Sequence, residues 1–241
     1  MKKKILMISG SPRSNGDGAK ILKELELNFR DNAEVESEYL FIKDYNIEAC
    51  RGCLVCRKKN DEKCPVKDDM SKIKEKFIKA DGFVFITPVY IRMISAPMKQ
   101  LFDRLSFWLH KPVHAGKPAL LLSTTTFPVS SGCLEYLKIP VGNMGMHIVD
   151  SIGISSAAFK NKNEYKDKIL KKLNQYSKDY INVLTSTEKP KPSVVELFIF
   201  NKWKHKAQYT IGYMTPVIFS FGKIRNFLKK IIFIPLKSIL F

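Results

Sequence analysis

Five short apolar runs separated by amphipathic stretches of helical length constrain this 241-residue chain more than any other feature. The runs are "KKILMIS" (3–9), "VESEYLFI" (35–42), "GFVFIT" (82–87), "PALLLST" (118–124) and "GMHIVDSIGI" (145–154). Runs this short and nearly continuous read as strands buried on both faces. The intervening stretches at 16–30, 67–79, 95–110, 131–142 and 162–183 read as helices. Strand and helix alternating in this way predict an α/β fold, a doubly wound five-stranded parallel sheet. Ligands of such sheets bind beyond the carboxyl ends of the strands, near the point where the strand order reverses. The loops after the first, third and fourth strands are therefore the places to look for chemistry.

A sequence boundary is expected near "STEKPKPS" (186–193), whose prolines and short polar residues read as a linker. It divides residues 1–185 from a basic, hydrophobic extension at 186–241. The net charge is +18, and from Lys189 onward ten Lys or Arg residues face the single acid Glu196. Within the extension Val217, Phe221, Ile224, Leu228 and Ile231 recur at helical spacing, with Lys223, Arg225, Lys229 and Lys230 on the other side. This basic amphipathic pattern suits an anionic membrane surface, while its charges interrupt any run long enough to span a bilayer. No nucleic-acid module accompanies the basic residues, so no nucleic-acid partner is expected. The start "MKKKILMISG" has an apolar run only from Ile5 to Ile8, too short for a signal core, and reads as a cytoplasmic first strand. The expected location is cytoplasmic, with the extension peripheral to the inner face of the membrane.

The loop after the first strand, "SGSPRSNGDGAK" (9–20), resembles a phosphate cradle. Gly10, Gly16 and Gly18 permit tight turns, Ser11 and Asn15 offer side-chain hydrogen bonds, and Arg13 supplies a planar cation beside a helix start. Its spacing matches neither a P-loop nor the dinucleotide fingerprint. After the third strand, "TPVYIRMISAPMKQLFDRL" (87–105) offers a rigid turn with backbone amides and an aromatic ring, which suits a flat heteroaromatic ligand.

Four of the five cysteines fall within "CRGCLVCRKKNDEKC" (50–64), spaced C-x2-C-x2-C-x7-C. In a reducing cytosol such crowding points to metal binding or redox chemistry rather than structural disulfides. An iron-sulfur cluster, a zinc site and metal-free redox thiols all accommodate Cys50, Cys53, Cys56 and Cys64. His110, His114, His147 and His205 share no metal spacing, and no G-x-S-x-G elbow occurs. Asp68 and Asp69 read as the start of the helix at 67–79, Arg104 as a brace for Asp103 or a subunit neighbour, and Cys133 as a small buried residue.

"GSPRSNG", the cysteine run, "DDM" (68–70), "ADGFVFITPVY" (80–90) and "SAPMKQLFDR" (95–104), in this order, resemble the flavodoxin-like NAD(P)H-dependent FMN reductases, especially their iron-sulfur flavoprotein branch. The resemblance spans roughly residues 3–155. It implies a flavodoxin-like fold that binds FMN and uses NAD(P)H as co-substrate. It places Ser11, Arg13 and Asn15 on the phosphate, with Gly18 where a threonine is common. It sets Pro88, Val89, Tyr90, Ile91 and Arg92 along the flavin, and Ser123, Thr124, Thr125 and Thr126 near its polar edge. A glycine-rich turn usual after the fourth strand is replaced by "STTTFPVSSG" (123–132). The same branch implies a [4Fe-4S] cluster on Cys50, Cys53, Cys56 and Cys64. The activity implied is electron transfer from NAD(P)H through FMN to a small-molecule or redox-protein acceptor. An FMN-containing electron carrier or membrane-recruited adaptor without nicotinamide turnover is the alternative. The type also implies a homo-oligomer.

Overall fold

The computed structural model describes residues 2–110, 112–126, 131–188 and 190. The linker beyond Pro190 and the basic amphipathic helix expected in the extension lie outside the described residues. So does the 127–130 part of the "STTTFPVSSG" turn.

Five strands, β1 (Lys3–Ser9), β2 (Val35–Phe41), β3 (Gly82–Pro88), β4 (Pro118–Thr125) and β5 (His147–Ser155), form one sheet in the order β2-β1-β3-β4-β5. Every neighbouring pair is parallel. The order reverses between β1 and β3, the switch point of a flavodoxin-like sheet. The central strands β1, β3 and β4 are buried almost throughout, as their continuous apolar sequences require. The edge strands β2 and β5 carry the more polar, partly exposed sequences.

Residues two apart along each strand share a face, so the sheet builds two cores. Ile5, Met7, Val84, Ile86, Leu120 and Leu122 face α1 (Asp17–Asn32) and the long C-terminal helix Asn163–Thr185. Leu6, Ile8, Phe83, Phe85 and Leu121 belong to the opposite core, under the helices Met70–Lys79, Ala96–Arg104 and Ser131–Asn143. A single turn of helix, Val55–Lys58, lies within the cysteine run, and Ser156–Asn161 follows β5. In chain order after α1 the helices are α2 (Val55–Lys58), α3 (Met70–Lys79), α4 (Ala96–Arg104), α5 (Ser131–Asn143), α6 (Ser156–Asn161) and α7 (Asn163–Thr185).

Two helix limits differ from the sequence expectation, each for a tertiary reason. The helix expected from 67 begins at Met70, because the Asp69 carboxylate accepts the Asn46 amide at 2.9 Å and makes no cap bond of its own. The helix expected through 110 ends at Arg104, and the chain then turns so that Trp108 packs beside Phe77 and His114. The helix expected at 162–183 is present as Asn163–Thr185, and a separate short helix, Ser156–Asn161, precedes it across the extended backbone of Lys162 (φ −128°, ψ 103°).

Candidate functional site

The carboxyl ends of β1, β3 and β4 bring three loops to one edge of the sheet, around the switch point. Short hydrogen bonds shape the first: Ser9 Oγ accepts from the Ser11 amide at 3.3 Å, and Ser11 Oγ accepts from the Arg13 amide at 3.1 Å. Gly16 occupies the N-cap position of α1 without a side-chain cap, which leaves the amides of the first turn open to an anion. Arg13 and Asn15 are exposed beside that helix start, and Arg13 makes no ion pair among the described residues. Gly18 is buried inside the first turn, where an added Cβ would rest in ordinary contact with Ile86. The local donors therefore fit a phosphate group.

A buried polar chain fastens this loop to the next. Ser95 Oγ donates to the Gly10 carbonyl at 2.7 Å, the Thr87 hydroxyl donates to Ser95 Oγ at 3.1 Å, and the Ser95 amide donates back to Thr87 Oγ1 at 3.1 Å. Thr87 and Ser95 are both fully buried. Gly10 is required by this approach, since a Cβ there would stand 2.7 Å from Ser95 Oγ and 2.9 Å from Met98 Cβ. Sequence reasoning read Ser95 only as a helix start. Its role as a tie is tertiary.

After Pro88 the chain makes a two-residue turn in which Tyr90 and Met93 exchange backbone hydrogen bonds of 3.0 and 2.9 Å. Ile91 and Arg92 at its tip have φ of 48° and 64°, the left-handed pair of a type I′ turn. A β-branched residue in this region stores strain of about 1–3 kcal/mol, a cost that clusters at functional sites. Ile91 is 97% exposed, with Tyr90 and Met93 about half exposed. An apolar, rigid surface thus borders the phosphate loop, as a flat aromatic ligand requires. The Val89 amide donates to the Thr124 carbonyl at 2.8 Å and so stitches this loop to β4.

Of the four residues implied at the polar edge, Ser123 and Thr124 are buried within β4, and Ser123 Oγ has no hydrogen-bond partner among the described residues. Thr125 is half-buried and Thr126 exposed, at the strand end. A cavity of about 510 Å³ opens there, lined by Thr125, Gly153, Ser155, Asn161, Lys162 and Tyr165. Nothing in the sequence pattern pointed to it, because β5 and α6 meet β4 only in the folded sheet.

The cysteine run leaves the body through a pinned neck. The Glu48 amide donates to Asp68 at 2.9 Å, the Asp69 amide donates to the Asn46 carbonyl at 3.0 Å, and Gln100 Nε2 donates to the Ile47 carbonyl at 2.5 Å. Left-handed backbone at Gly52 (φ 65°) and Leu54 (φ 59°) folds the chain into α2. Cys50 and Cys53 are exposed, while Cys56 and Cys64 are half-buried. Burial pushes the Cys56 thiol up, and the neighbouring Cys64, Cys50 and Cys53 push it further. No three His, Cys, Asp or Glu side chains among the described residues gather tightly enough to hold one metal ion. Four cysteine thiols are, as a donor type, the set that an iron-sulfur cluster takes. Cys133 is fully buried in the α5 core, and burial raises its thiol to about 11.

Arg104 pairs not with Asp103, which bonds Lys99 at 2.6 Å, but with Asp68. Both side chains of this pair are nearly sealed from solvent, at 4% and 1% exposure. Burial pushes the Asp68 carboxyl up, but bonds from Arg104, Glu48 and Met70 outweigh it and hold the group below its ordinary range.

The family model for the NADPH-dependent FMN reductases matches residues 3–160. An iron-sulfur flavoprotein of Methanocaldococcus jannaschii is 38% identical over 101 residues, which is 42% of this chain and 51% of that protein. An iron-sulfur flavoprotein of Clostridioides difficile is 27% identical over 198 residues, covering 81% of this chain and 85% of the relative. Apart from that alignment, the chain spans about half the length of the curated relatives it matches. Among solved structures, the apo form of NADH:FMN oxidoreductase (EMOB) superposes with a TM-score of 0.56 at 20% identity, over 78% of this chain and 92% of that one. RosB with a bound intermediate gives 0.64 at 13% identity, over 85% and 87%. These likenesses share the sheet and its helices. With a family model that covers well over half of the sequence and the FMN-type strand order beneath it, the chain belongs to the NADPH-dependent FMN reductase family.

Proposed function

We propose that this protein is an oxidoreductase that takes electrons from NAD(P)H and, with FMN as its bound cofactor, passes them to a small-molecule or redox-protein acceptor. The observation that carries the reading is the uncapped start of α1 beside Arg13, tied through Ser95 to the strained apolar turn at 90–93. FMN when bound supplies the capacity to accept a hydride and release its electrons. The chain's own residues bind and orient: Ser11, Arg13, Asn15 and the first-turn amides, Gly18 included, take the phosphate. Pro88, Val89, Tyr90, Ile91 and Arg92 line the ring, with Thr125 and Thr126 at the end of β4. The Thr87–Ser95–Gly10 chain keeps the two loops at a set separation. The test is anaerobic titration of the FMN-loaded protein with NADPH and NADH. Bleaching of the flavin absorbance supports the reductase, whereas reduction only by a protein donor makes the chain an electron carrier. Because Arg13 can offer two parallel N–H donors, Arg13→Ala is expected to weaken FMN binding by about 1.5–3 kcal/mol. Fluorescence titration of the folded variant checks this.

Cys50, Cys53, Cys56 and Cys64 are proposed to hold a [4Fe-4S] cluster. Support comes from four cysteines carried on one segment, residues 50–64, and from relatives whose names are iron-sulfur flavoproteins. Replacing any one by serine is expected to lower bound iron and leave FMN in place, because the phosphate loop lies on a different segment. Four variants with the iron content of the parent protein would end this reading in favour of metal-free thiols.

Two further partners are proposed. The exposed Ile91 and its neighbours suit a second copy of this chain, making the protein a homo-oligomer. The extension at 186–241 is proposed to bring a cytoplasmic protein to the inner face of the membrane, and no described helix is long and apolar enough to cross one. The full chain is expected to sediment with anionic vesicles at low salt, and a chain ending at Ser186 to stay in solution. Equal sedimentation of both chains refutes the membrane role.

A further inference from the structure

We infer that Arg104 is the positioning residue of the cysteine-rich segment, holding Cys64 as the corner of the four-thiol site that is tied to α4. The guanidinium stands at the end of α4 and makes all its contacts with that segment and its neck. Nη1 donates to the Glu48 carbonyl at 2.9 Å and to Asp68, while Nη2 donates to Asp68 Oδ1 at 3.1 Å and to Cys64 Sγ at 3.9 Å. Asp68 is itself fixed by the amides of Glu48 at 2.9 Å and Met70 at 3.2 Å. The fork therefore has one rotational setting, and the sulfur lies on its free side. A lysine ammonium could pair with Asp68 but could not reach the carbonyl, both carboxylate oxygens and the sulfur from one place.

The four thiols are thereby unequal. Cys50 and Cys53 are exposed on backbone that turns at Gly52 and Leu54, and no side chain of α3 or α4 bonds to them. Cys64 alone is tied to α4, whose other end reaches the phosphate loop through Ser95. Helix α4 thus connects the cysteine site rigidly to the proposed flavin loops. Were a cluster bound, a charged donor on one of its cysteine sulfurs would favour the more negative, reduced state and so raise the reduction potential.

The inference rests on the proposed cluster, and the experiment separates the two. The full chain and its Arg104→Lys, Lys99→Ala and Cys64→Ser variants are purified anaerobically. Iron and sulfide content, the midpoint potential of the iron-sulfur absorbance, and the rate of tryptic cleavage within 50–64 after iron removal are measured for each. Arg104→Lys is expected to keep its fold, to be harder to reduce by about tenfold in equilibrium constant, or about 59 mV for one electron, and to be cleaved about tenfold faster. Lys99→Ala, which breaks an ion pair on the same helix, should match the parent protein in every measurement. If Arg104→Lys does not fold, Arg104→Gln with Asp68→Asn removes both charges together and is read on the same scales. An iron-loaded variant with unchanged potential and unchanged cleavage overturns the inference. If the parent chain and Cys64→Ser both lack iron, the cluster reading fails. The cleavage rate then decides alone: faster cutting of Arg104→Lys upholds the positioning role, and equal cutting overturns it.

Discussion

Asp68→Ala is expected to destabilise the protein by about 3–5 kcal/mol, the scale for removing one partner of a buried ion pair. Alanine leaves the Arg104 guanidinium, only 4% exposed, without its counter-charge. It also strips an acceptor from the Glu48 and Met70 amides, which releases the neck of the cysteine segment and the start of α3 together. Urea unfolding at pH 7 measures the loss. A change below about 1 kcal/mol, the ordinary range of an exposed pair, would show that solvent reaches the pair. A well-packed apolar replacement of both partners would match such a pair in stability. The native pair's value lies in holding the segment in one arrangement.

The second large effect is expected from His114, which follows no functional pattern. The ring is 2% exposed, packed among Phe77, Phe83 and Trp108, and neither nitrogen has a hydrogen-bond partner among the described residues. Burial lowers its pKa from 6.5 to about 3, with a smaller contribution from the Lys117 charge. The unfolded chain therefore takes up a proton that the folded chain refuses. The stability linked to this site is complete above 6.5 and declines as the pH falls toward 3. At pH 5 the loss amounts to about 2 kcal/mol relative to pH 7. Between these two values ordinary carboxylates stay largely ionised, so the histidine dominates the window. His114→Phe, whose ring suits the same aromatic surroundings, should abolish this pH dependence in urea unfolding. A parent protein whose unfolding midpoint is the same at both pH values would show that the ring is protonated without cost.

The particular residues show which features were local. Continuous apolar runs such as "GFVFIT" and "PALLLST" appear as β3 and β4 because a strand covered on both faces needs no polar alternation. The glycines and Arg13 of the first loop were readable for the same reason, since an uncapped helix start after a buried strand is a property of adjacent residues. The cysteine spacing also stands in the sequence, and so does the family resemblance that gave it an expected ligand. Helix ends proved less legible. Asp69 was spent on the Asn46 amide, and Trp108 on the aromatic cluster, and both bonds join residues far apart in the chain.

By itself the sequence determined the strand and helix alternation, the parallel sheet and the loops in which to seek a site. These follow from hydrophobic period and turn chemistry, which act over a few residues. Only the tertiary structure decided that Arg104 grips Asp68 and Cys64 rather than bracing Asp103, that Ser95 ties Gly10 to Thr87, and that Ser123 lies inside the sheet while Thr125 borders a cavity. The Arg104–Asp68 and Ser95–Gly10 bonds, for example, depend on desolvation and join groups 36 and 85 residues apart in sequence. Most buried polar groups find a partner wherever the fold supplies one, and no local pattern encodes which partner that will be.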